Sequence, residues 1–515
     1  MTPARFLSPE PEVRLANAFV EPFKNFVSTA RTCYSSKGAI EIRELSQRDR
    51  EIARSIYKAG HHTTLQHAHF QFILNHVSRQ FIWSFLHSHP FYNSEQVSQR
   101  YVAVKPHNCA VPPLKGSALD IYLKTIERQT EAYQQLCEKL IPVTEIQYGC
   151  RFPHRRLERK KYRRDIRKKA QEVARYVLPV ATFAYLYHTL SGITLLRYWR
   201  CCRQFDAPME QRIVVARMVD ELLRLDPNFR LILEEPLPLE ETPEYALFNE
   251  LRTPAPSSRF RDQFDEELQG RTSRLVDWKI NNEEILAGAV REVLGLSRDE
   301  LSREKAIELV MDPARNRLMA ESMNVTTLSK LSRAMVHAHY SFRKKLSHTA
   351  DSQDQRHRMA PASRPILAAH SSDEPDYITP SLVRADPSVR PLYDGVMDYS
   401  WSQMARLRKL GVAEQFVLYL LPNAASVRFT ESGDLLSLRH KYAMRLCYNA
   451  QEEIWRASLD EVQQIREINP LIGRYLLPPC SLRALADLHP TCPEGERYCG
   501  VKVWKLDVAE FSRVI

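Results

Sequence analysis

The chain has 515 residues, of which 44% are hydrophobic and 26% charged, and its formal net charge is +11. One hydrophobic core rarely organises more than roughly 250 to 300 residues, so a single-domain protein is excluded. Prolines and charges interrupt the N-terminus and no run of about 18 apolar residues follows, which argues against a signal peptide and a membrane span. With ten cysteines too sparse for a disulfide framework, we expect a cytoplasmic protein.

In chain order, the first segment with a strong pattern covers residues 60–101. Apolar side chains alternate over residues 69–74, which predicts a strand, and residues 78–86 have a helical pattern. Residues 87–100 are polar and aromatic and lack helical periodicity. Polar groups that follow a strand and a helix are typical of a binding or catalytic site on a rigid scaffold.

Residues 155–169 contain ten basic residues and two acidic ones. This density creates a local positive field that attracts anions. Two interpretations stay open: a solvated helix face, and a surface that binds phosphates or nucleic acid.

A proline-rich connector divides the chain nearly in half, with five prolines between residues 234 and 259. We therefore place a first domain at 1–235, with a basic insertion near 151–171, and a linker at 236–265. A second, more divergent domain covers 266–485, and a C-terminal tail covers 486–515.

The two halves resemble each other in the order of their motifs. In each, a His-Ala-His sequence precedes a second basic cluster, and a Leu-Pro pair precedes an arginine by about 24 residues. The paired features are 67–69 and 337–339, 87–89 and 356–358, Leu178-Pro179 and Leu421-Pro422, and Arg203 and Arg445. Their common order favours a tandem duplication over two unrelated helical domains.

Several motifs resemble those of the flavin-dependent thymidylate synthase family. The matching residues are Gly60-His61-His62-Thr63, Gln66-His67, Arg79-Gln80, Ser98-Gln99-Arg100-Tyr101 and Glu172-Val173-Ala174-Arg175-Tyr176-Val177-Leu178-Pro179. The family's C-terminal substrate arginine falls on Arg203, and Arg445 precedes a similar Ala-Gln-x-Glu-Ile ending in the second half. The resemblance covers roughly residues 13–230 and, more faintly, 275–480.

The family's Arg-His-Arg signature is divided between the halves. In the first half its position holds Ser88-His89-Pro90 or His87-Ser88-His89, depending on the register. The second half has a literal Arg356-His357-Arg358 but no Ser-x-Arg-Tyr after it, and Leu418 stands where the first half has Arg175. Each half therefore keeps what the other has lost.

The resemblance implies an α+β fold in which each half has a central sheet with long helices and the two halves form an intrachain pseudo-dimer. Self-association of two chains would imitate the family's tetramer. It also implies FAD as cofactor, with NADPH and methylene-tetrahydrofolate as co-substrates, and methyl transfer to dUMP, a uridine nucleotide, giving dTMP.

Because family members build each site from more than one subunit, we expect one functional composite site per chain pair. In this assignment Ser98 and Arg203 are catalytic, with Ser98 orienting the substrate and not attacking it. The cofactor is bound by His61, His87, His89, Arg356, His357 and Arg358, and the nucleotide by Arg100, Arg175, Arg203 and Arg445. Two alternatives are a flavoenzyme that modifies a pyrimidine in nucleic acid, and a non-catalytic nucleotide-binding scaffold.

Two groups of residues are candidate metal ligands. The N-terminal histidines between residues 61 and 89 lack a carboxylate or cysteine at ligand spacing, so we interpret them as packing and cofactor contacts. In the tail, Cys480, His489, Cys492 and Cys499 supply four nitrogen and sulfur ligands, as a tetrahedral zinc site needs. The alternative is a proline-rich cap with reduced cysteines.

Overall fold

The computed structural model describes residues 5–87, 91–152, 159–203, 208–242, 245, 258–513 and 515. Each half contains a four-stranded antiparallel sheet, in the order β1-β2-β4-β3 and β5-β6-β8-β7. The strands are β1 Glu12–Ala18, β2 His69–Ser78, β3 Tyr92–Gln96, β4 Phe183–Ser191, β5 Ser273–Trp278, β6 His339–Ser347, β7 Ala362–Ser363 and β8 Ser426–Asp434. The mixture of sheets and helices confirms that part of the predicted α+β fold.

Helices surround both sheets. Those of the first half are α1 Pro22–Thr32, α2 Gln47–Lys58, α3 Arg79–His87, α4 Gly116–Arg151, α5 Arg159–Ala174, α6 Gly192–Arg200 and α7 Pro208–Leu225. Those of the second half are α8 Ser258–Leu268, α9 Asn282–Leu294, α10 Arg303–Met311, α11 His348–Asp354, α12 Leu367–His370, α13 Ser381–Arg384, α14 Arg390–Lys409, α15 Glu414–Val417, α16 Leu435–Arg445, α17 Glu452–Ile468, α18 Pro470–Gly473 and α19 Pro479–Leu485. None of the described helices is both long and apolar enough to cross a membrane.

Local sequence explains the strand and helix that lead to the candidate site. Phe70, Phe72 and Leu74 are buried on one face of β2, as the period of two along a strand requires. The Ser78 hydroxyl then accepts the Phe81 N–H at 2.9 Å and caps α3, and Ser347 caps α11 in the same way. The predicted strand and helix are thus confirmed, and β3 lies in the segment 87–100, for which the sequence showed no helical periodicity.

Strand pairing gives a residue-by-residue correspondence between the halves. His69 pairs with Ser191, and His339 pairs with Asp434. Because α6 and α16 start directly after these partners, the first-half residue that corresponds to Arg445 is the buried Cys202. The predicted pairing of Arg203 with Arg445 was therefore wrong by one residue.

Counting from equivalent residues also aligns the Arg-His-Arg position of the second half with its counterpart in the first half. Ser78 and Ser347 each end the second strand of their sheet and cap the next helix. Counting nine residues on from each serine places 87–89 opposite 356–358 along the chain. Residues 88–90 lie outside the described part of the structure.

The two halves contact each other through repeated interactions. Glu210 accepts hydrogen bonds from Ser78 of its own half and from the Tyr419 hydroxyl of the other, at 2.6 Å each. Glu453 likewise accepts from Ser347 and from the Tyr176 hydroxyl of the first half. The backbone repeats this exchange, since the Val180 N–H donates to Leu421 and the Asn423 N–H to Leu178, both at 2.8 Å. The same pairs of residue types thus join the two halves twice, with the halves exchanged.

The hydrophobic cores also cross between the halves. One cluster joins Tyr122 and Leu136 of α4 to Trp401 and Met404 of α14. In a second cluster, Tyr148 and Phe152 of the first half, with Tyr162 and Ile166 of α5, pack against the second half. Helix α5, the described part of the basic segment, therefore buries an apolar face against the second half.

Removing either cross-half tyrosine hydroxyl tests the importance of these contacts. We expect Tyr176→Phe and Tyr419→Phe each to lower the free energy of unfolding by about 1.5 to 3 kcal/mol, because each leaves a buried glutamate with one partner fewer. Tyr176→Phe should cost more than Tyr419→Phe, because the Tyr176 hydroxyl also accepts a hydrogen bond from Gln451 Nε2 at 2.6 Å. Urea unfolding measures both, with Tyr34→Phe at an exposed position as control. A negligible loss in either variant would contradict the prediction.

Candidate functional site

A cleft of about 810 Å³ lies between the two halves. This volume is in the range of sites that bind small molecules and cofactors. Its lining includes Gln66, His69, Tyr92, Ser191 and Arg197 from the first half and Arg356, His357, Arg358, His440 and Arg445 from the second. Three residues predicted to bind the cofactor thus face residues of the other half.

The turn after α11 is held by contacts on both of its sides. Arg445 donates from Nε to His357 Nε2 and from Nη2 to the Gln353 carbonyl, each at 2.8 Å. Burial and the adjacent Arg445 charge hold the pKa of His357 well below its usual range, so a neutral imidazole accepts this bond. Arg358 lies 5.1 Å from the Tyr92 ring centroid and donates to Asn93 at 3.2 Å.

Five arginines from both halves form what we call the arginine cluster: Arg79, Arg100, Arg175, Arg356 and Arg445. Burial lowers the pKa of Arg79 to about 9, with further contributions from the charges of Arg175 and Arg356. Burial also lowers the pKa of Arg445 to about 10, where Asp354 opposes the effect and Arg356 and Arg100 add to it. These charge effects link arginines of the two halves, and among the described residues only Arg356 and Arg445 of the five line the cleft. Positive charge gathered in this way attracts an anion.

A buried carboxylate organises the first-half members of the arginine cluster. Glu172 pairs with Arg100 and, at 2.8 Å, with Lys169, and these cations hold the pKa of its carboxyl far below its usual range despite burial. Arg100 also donates to the Asn449 carbonyl of the second half at 3.0 Å. The Arg175 Nε donates to the Glu172 carbonyl at 3.2 Å. Sequence reasoning quoted Glu172 as part of a motif without giving it this role.

Two donors of the arginine cluster lack a protein partner. Among the described residues, Arg79 Nε and Arg175 Nη2 are buried and make no hydrogen bond. A buried N–H without an acceptor costs about 1 to 3 kcal/mol, so such groups usually have a partner. Phosphate oxygens are suitable acceptors for guanidinium groups, and the arginine cluster therefore fits a phosphate-bearing ligand.

Several predicted site residues lie elsewhere. Arg203 is exposed and is not among the described residues of the cleft. Ser98 is half-buried, and its hydroxyl accepts the Arg100 N–H at 3.3 Å, also outside the cleft lining. His61 lines a separate surface pocket with Arg31 and Lys37. His89 and the side chain of His87 lie outside the described part of the structure.

The predicted zinc ligands are not arranged as a metal site. Within the described residues, no three His, Cys, Asp or Glu side chains are grouped so that they hold a metal ion. Cys480, Cys492 and Cys499 line one small cavity, but its fourth cysteine is Cys447 and His489 is not in its lining. Burial, with a smaller effect of the neighbouring cysteines, raises the pKa of Cys447 and Cys480 to about 12.

Between α3 and β4, the first half has a buried aromatic group. His188 lies between Phe85 and Tyr198, with ring centroids 5.1 and 5.8 Å away. Burial, with a smaller effect of the Arg358 charge, lowers the pKa of His188 to about 3. The imidazole is therefore neutral in the folded protein at any pH near neutrality.

This shift makes stability depend on pH. Between the unfolded-state pKa near 6.5 and the folded-state value, the unfolded chain binds more protons at His188, so the free energy of unfolding falls as the pH falls. We expect His188→Phe to reduce this loss by up to about 1.4 kcal/mol per pH unit between pH 6.5 and 4.5. Urea unfolding at several pH values measures it, with exposed His67→Phe as control. An unchanged slope in His188→Phe would refute the assignment.

Both halves of the chain are similar to proteins of one known family. A family model described as "Thymidylate synthase complementing protein" matches residues 14–228 and 274–471. The chain is 27% identical to the flavin-dependent thymidylate synthase of Clostridium tetani over 224 residues, which are 42% of this chain and 84% of that protein. It is also 27% identical to the Geobacter sulfurreducens enzyme of the same name over 167 residues, 32% of this chain and 69% of that protein. Two family matches on one chain agree with a tandem duplication, and the chain belongs to the flavin-dependent thymidylate synthase family.

Proposed function

We propose that this chain is a thymidylate synthase with one composite site, in which FAD mediates transfer of a carbon unit from methylene-tetrahydrofolate to dUMP, giving dTMP. NADPH would supply the electrons. The arginine cluster carries the proposal, because Arg100 and Arg175 come from the first half and Arg356 and Arg445 from the second. The family implies a flavin, and the names of the relatives point to the reaction.

The proposed composite site requires the halves to act as a pseudo-dimer within one chain. The exchanged Tyr–Glu and backbone contacts support this arrangement. A duplicated chain can lose half of each of two equivalent sites and still keep one complete site. Two chains would then associate in place of four single-domain subunits.

In the cleft, Arg356, His357 and Arg358 would hold the phosphates and ring edge of FAD. When bound, the flavin supplies the electron and carbon transfer chemistry. The protein would orient the cofactor through side chains that are themselves held in place. Arg358 contacts the Tyr92 ring and Asn93, and His357 accepts a hydrogen bond from Arg445. His87 and His89 stay predicted cofactor contacts, whereas His61 opens on a different surface.

The nucleotide would be bound by Arg100, Arg175 and Arg445. The free Nη2 of Arg175 and Nε of Arg79 would donate to its phosphate. Glu172 holds Arg100 in place, so little side-chain entropy is lost on binding. Ser98, beside Arg100, would orient the uracil ring and needs no activation as a nucleophile.

The first test is the absorption of the purified protein between about 350 and 500 nm, before and after addition of FAD, followed by titration with dUMP. We expect a flavin band that shifts with dUMP, and tritium release from dUMP labelled at carbon 5 when folate and NADPH are present. Protein that takes up no flavin at any concentration would overturn the proposal and favour a non-catalytic scaffold.

One observation favours a second candidate, the modification of a pyrimidine in nucleic acid. Lys160, Arg163, Arg164 and Arg167 form an exposed stripe along α5. Lys168 and Arg100 each lie 5.5 Å from the ring of the exposed Tyr101, a surface on which a base can stack. Four phosphate contacts predict a slope of about −3 for log K against log salt with single-stranded oligonucleotides. Such a slope, with labelling of oligonucleotide uridine in preference to free dUMP, would select this function.

A further inference from the structure

Five charged side chains are fully buried beneath the Arg356-His357-Arg358 turn. They are Lys344, Asp354, Glu431, Lys441 and Glu461, each 0% exposed, and we call them the buried charge cluster. Lys344 Nζ lies 2.7 Å from Asp354 and 3.0 Å from Glu461, and Lys441 Nζ lies 3.2 Å from Asp354. Glu431 pairs with both lysines.

Stability alone does not account for this arrangement. Desolvating charges is costly, and apolar replacements of whole buried ionic groups are often neutral or stabilising. The first half contains such a replacement. Strand register and helix count place Leu74, Phe85, His188, Tyr198 and Met218 at the five equivalent positions, and all five are buried. The same fold therefore forms in this chain without the charges.

The charges are present in the half that has the cationic turn. The second half has Arg356-His357-Arg358 and Arg445, whereas the first has His87-Ser88-His89 and Cys202 at those positions. Asp354 ends α11, and its carbonyl accepts the His357 N–H at 3.0 Å. Lys441 lies one turn before Arg445 on α16. The Asp354–Lys441 ion pair thus ties the two helices together directly beneath the Arg445–His357 hydrogen bond.

We propose that the buried charge cluster positions the cationic turn, by locking α11 to α16 so that Arg356, His357 and Arg445 face the cleft in one arrangement. The cluster members are positioning residues and touch no ligand. The inference deepens the proposed function and rests on it for the identity of the ligand, which is FAD. Asp354 and Lys441 lie on the two helices that carry the turn and Arg445, and Lys344, Glu431 and Glu461 hold this pair from β6, β8 and α17.

The first half supplies the test variant. Lys344→Leu, Asp354→Phe, Glu431→His, Lys441→Tyr and Glu461→Met together install its residues in the second half. We expect cooperative thermal unfolding to persist, the Kd for FAD to rise by about tenfold or more, and amide hydrogen exchange at residues 356–360 of the ligand-free protein to accelerate by about tenfold or more. A folded variant with wild-type exchange and wild-type FAD affinity would overturn the proposal.

If the five-residue variant does not fold, a double-mutant cycle tests whether the buried charge cluster positions the turn. Asp354→Asn should raise the Kd for FAD by about fivefold in the wild type but by less than about twofold in Arg445→Gln, because the Arg445–His357 hydrogen bond that the cluster holds in place is already lost there. Equal effects in both backgrounds would refute the coupling. Asp265→Asn, which removes a partner of the buried Arg428, should lower the melting temperature without changing exchange at 356–360. If the wild type binds no FAD, the proposed function fails, and exchange in the ligand-free variants still tests the positioning.

Discussion

Arg445→Ala should weaken dUMP binding by about 100-fold or more, whereas Arg203→Ala should leave it within about threefold of the wild type. Arg445 lies in the cleft, contacts His357 and feels the charges of Arg356 and Arg100. Losing two charge-assisted hydrogen bonds to a ligand costs about 3 to 5 kcal/mol, which corresponds to that factor. Arg203 is exposed, and the first-half residue that corresponds to Arg445 is Cys202.

Isothermal titration of both variants with dUMP measures this difference, and thermal unfolding checks that each is folded. Arg445→Lys separates charge from geometry, because a lysine keeps the charge and loses the planar fork. We expect it to recover only part of the affinity. Equal losses in Arg445→Ala and Arg203→Ala would contradict the prediction and show that Arg203 also contributes to the nucleotide site.

Arg175→Leu should also lower dUMP affinity by about 100-fold or more, although Arg175 lies in the other half of the chain. Its side chain is buried, and its Nη2 has no hydrogen-bond partner among the described residues. Leucine is a conservative test of this position, because Leu418 occupies the equivalent place in the second half and is fully buried there. The fold therefore tolerates leucine at this point of the repeat.

The matched control is Arg167→Leu, at an exposed position on the neighbouring helix α5. It removes the same charge from the same region and should leave dUMP affinity within about twofold. If Arg175→Leu binds dUMP like the wild type while Arg445→Ala does not, the site lies within the second half alone. The composite arrangement would then be excluded.

Local features of the candidate site follow from short stretches of sequence. Alternation over residues 69–74 predicted β2, and the serine at its end caps the helix that leads to the Arg-His-Arg position. The motifs around Arg100, Arg175 and Arg356 identified cationic residues that the structure brings together. The pairing of Arg203 with Arg445 was one residue off, because it rested on an approximate interval between motifs, whereas strand pairing fixes the count and leaves Arg203 in an exposed turn after α6.

The sequence by itself determined that the chain is duplicated and that the repeats have lost complementary residues, since both properties lie in the order and identity of residues along each half. Only the tertiary structure decided which of those residues meet. Glu210 reaches Tyr419, Arg100 reaches Asn449, and Asp354 joins Lys441 because two sheets and their helices pack in one particular way. Such contacts connect residues far apart in the chain, and packing in three dimensions, which local periodicity does not encode, sets their geometry.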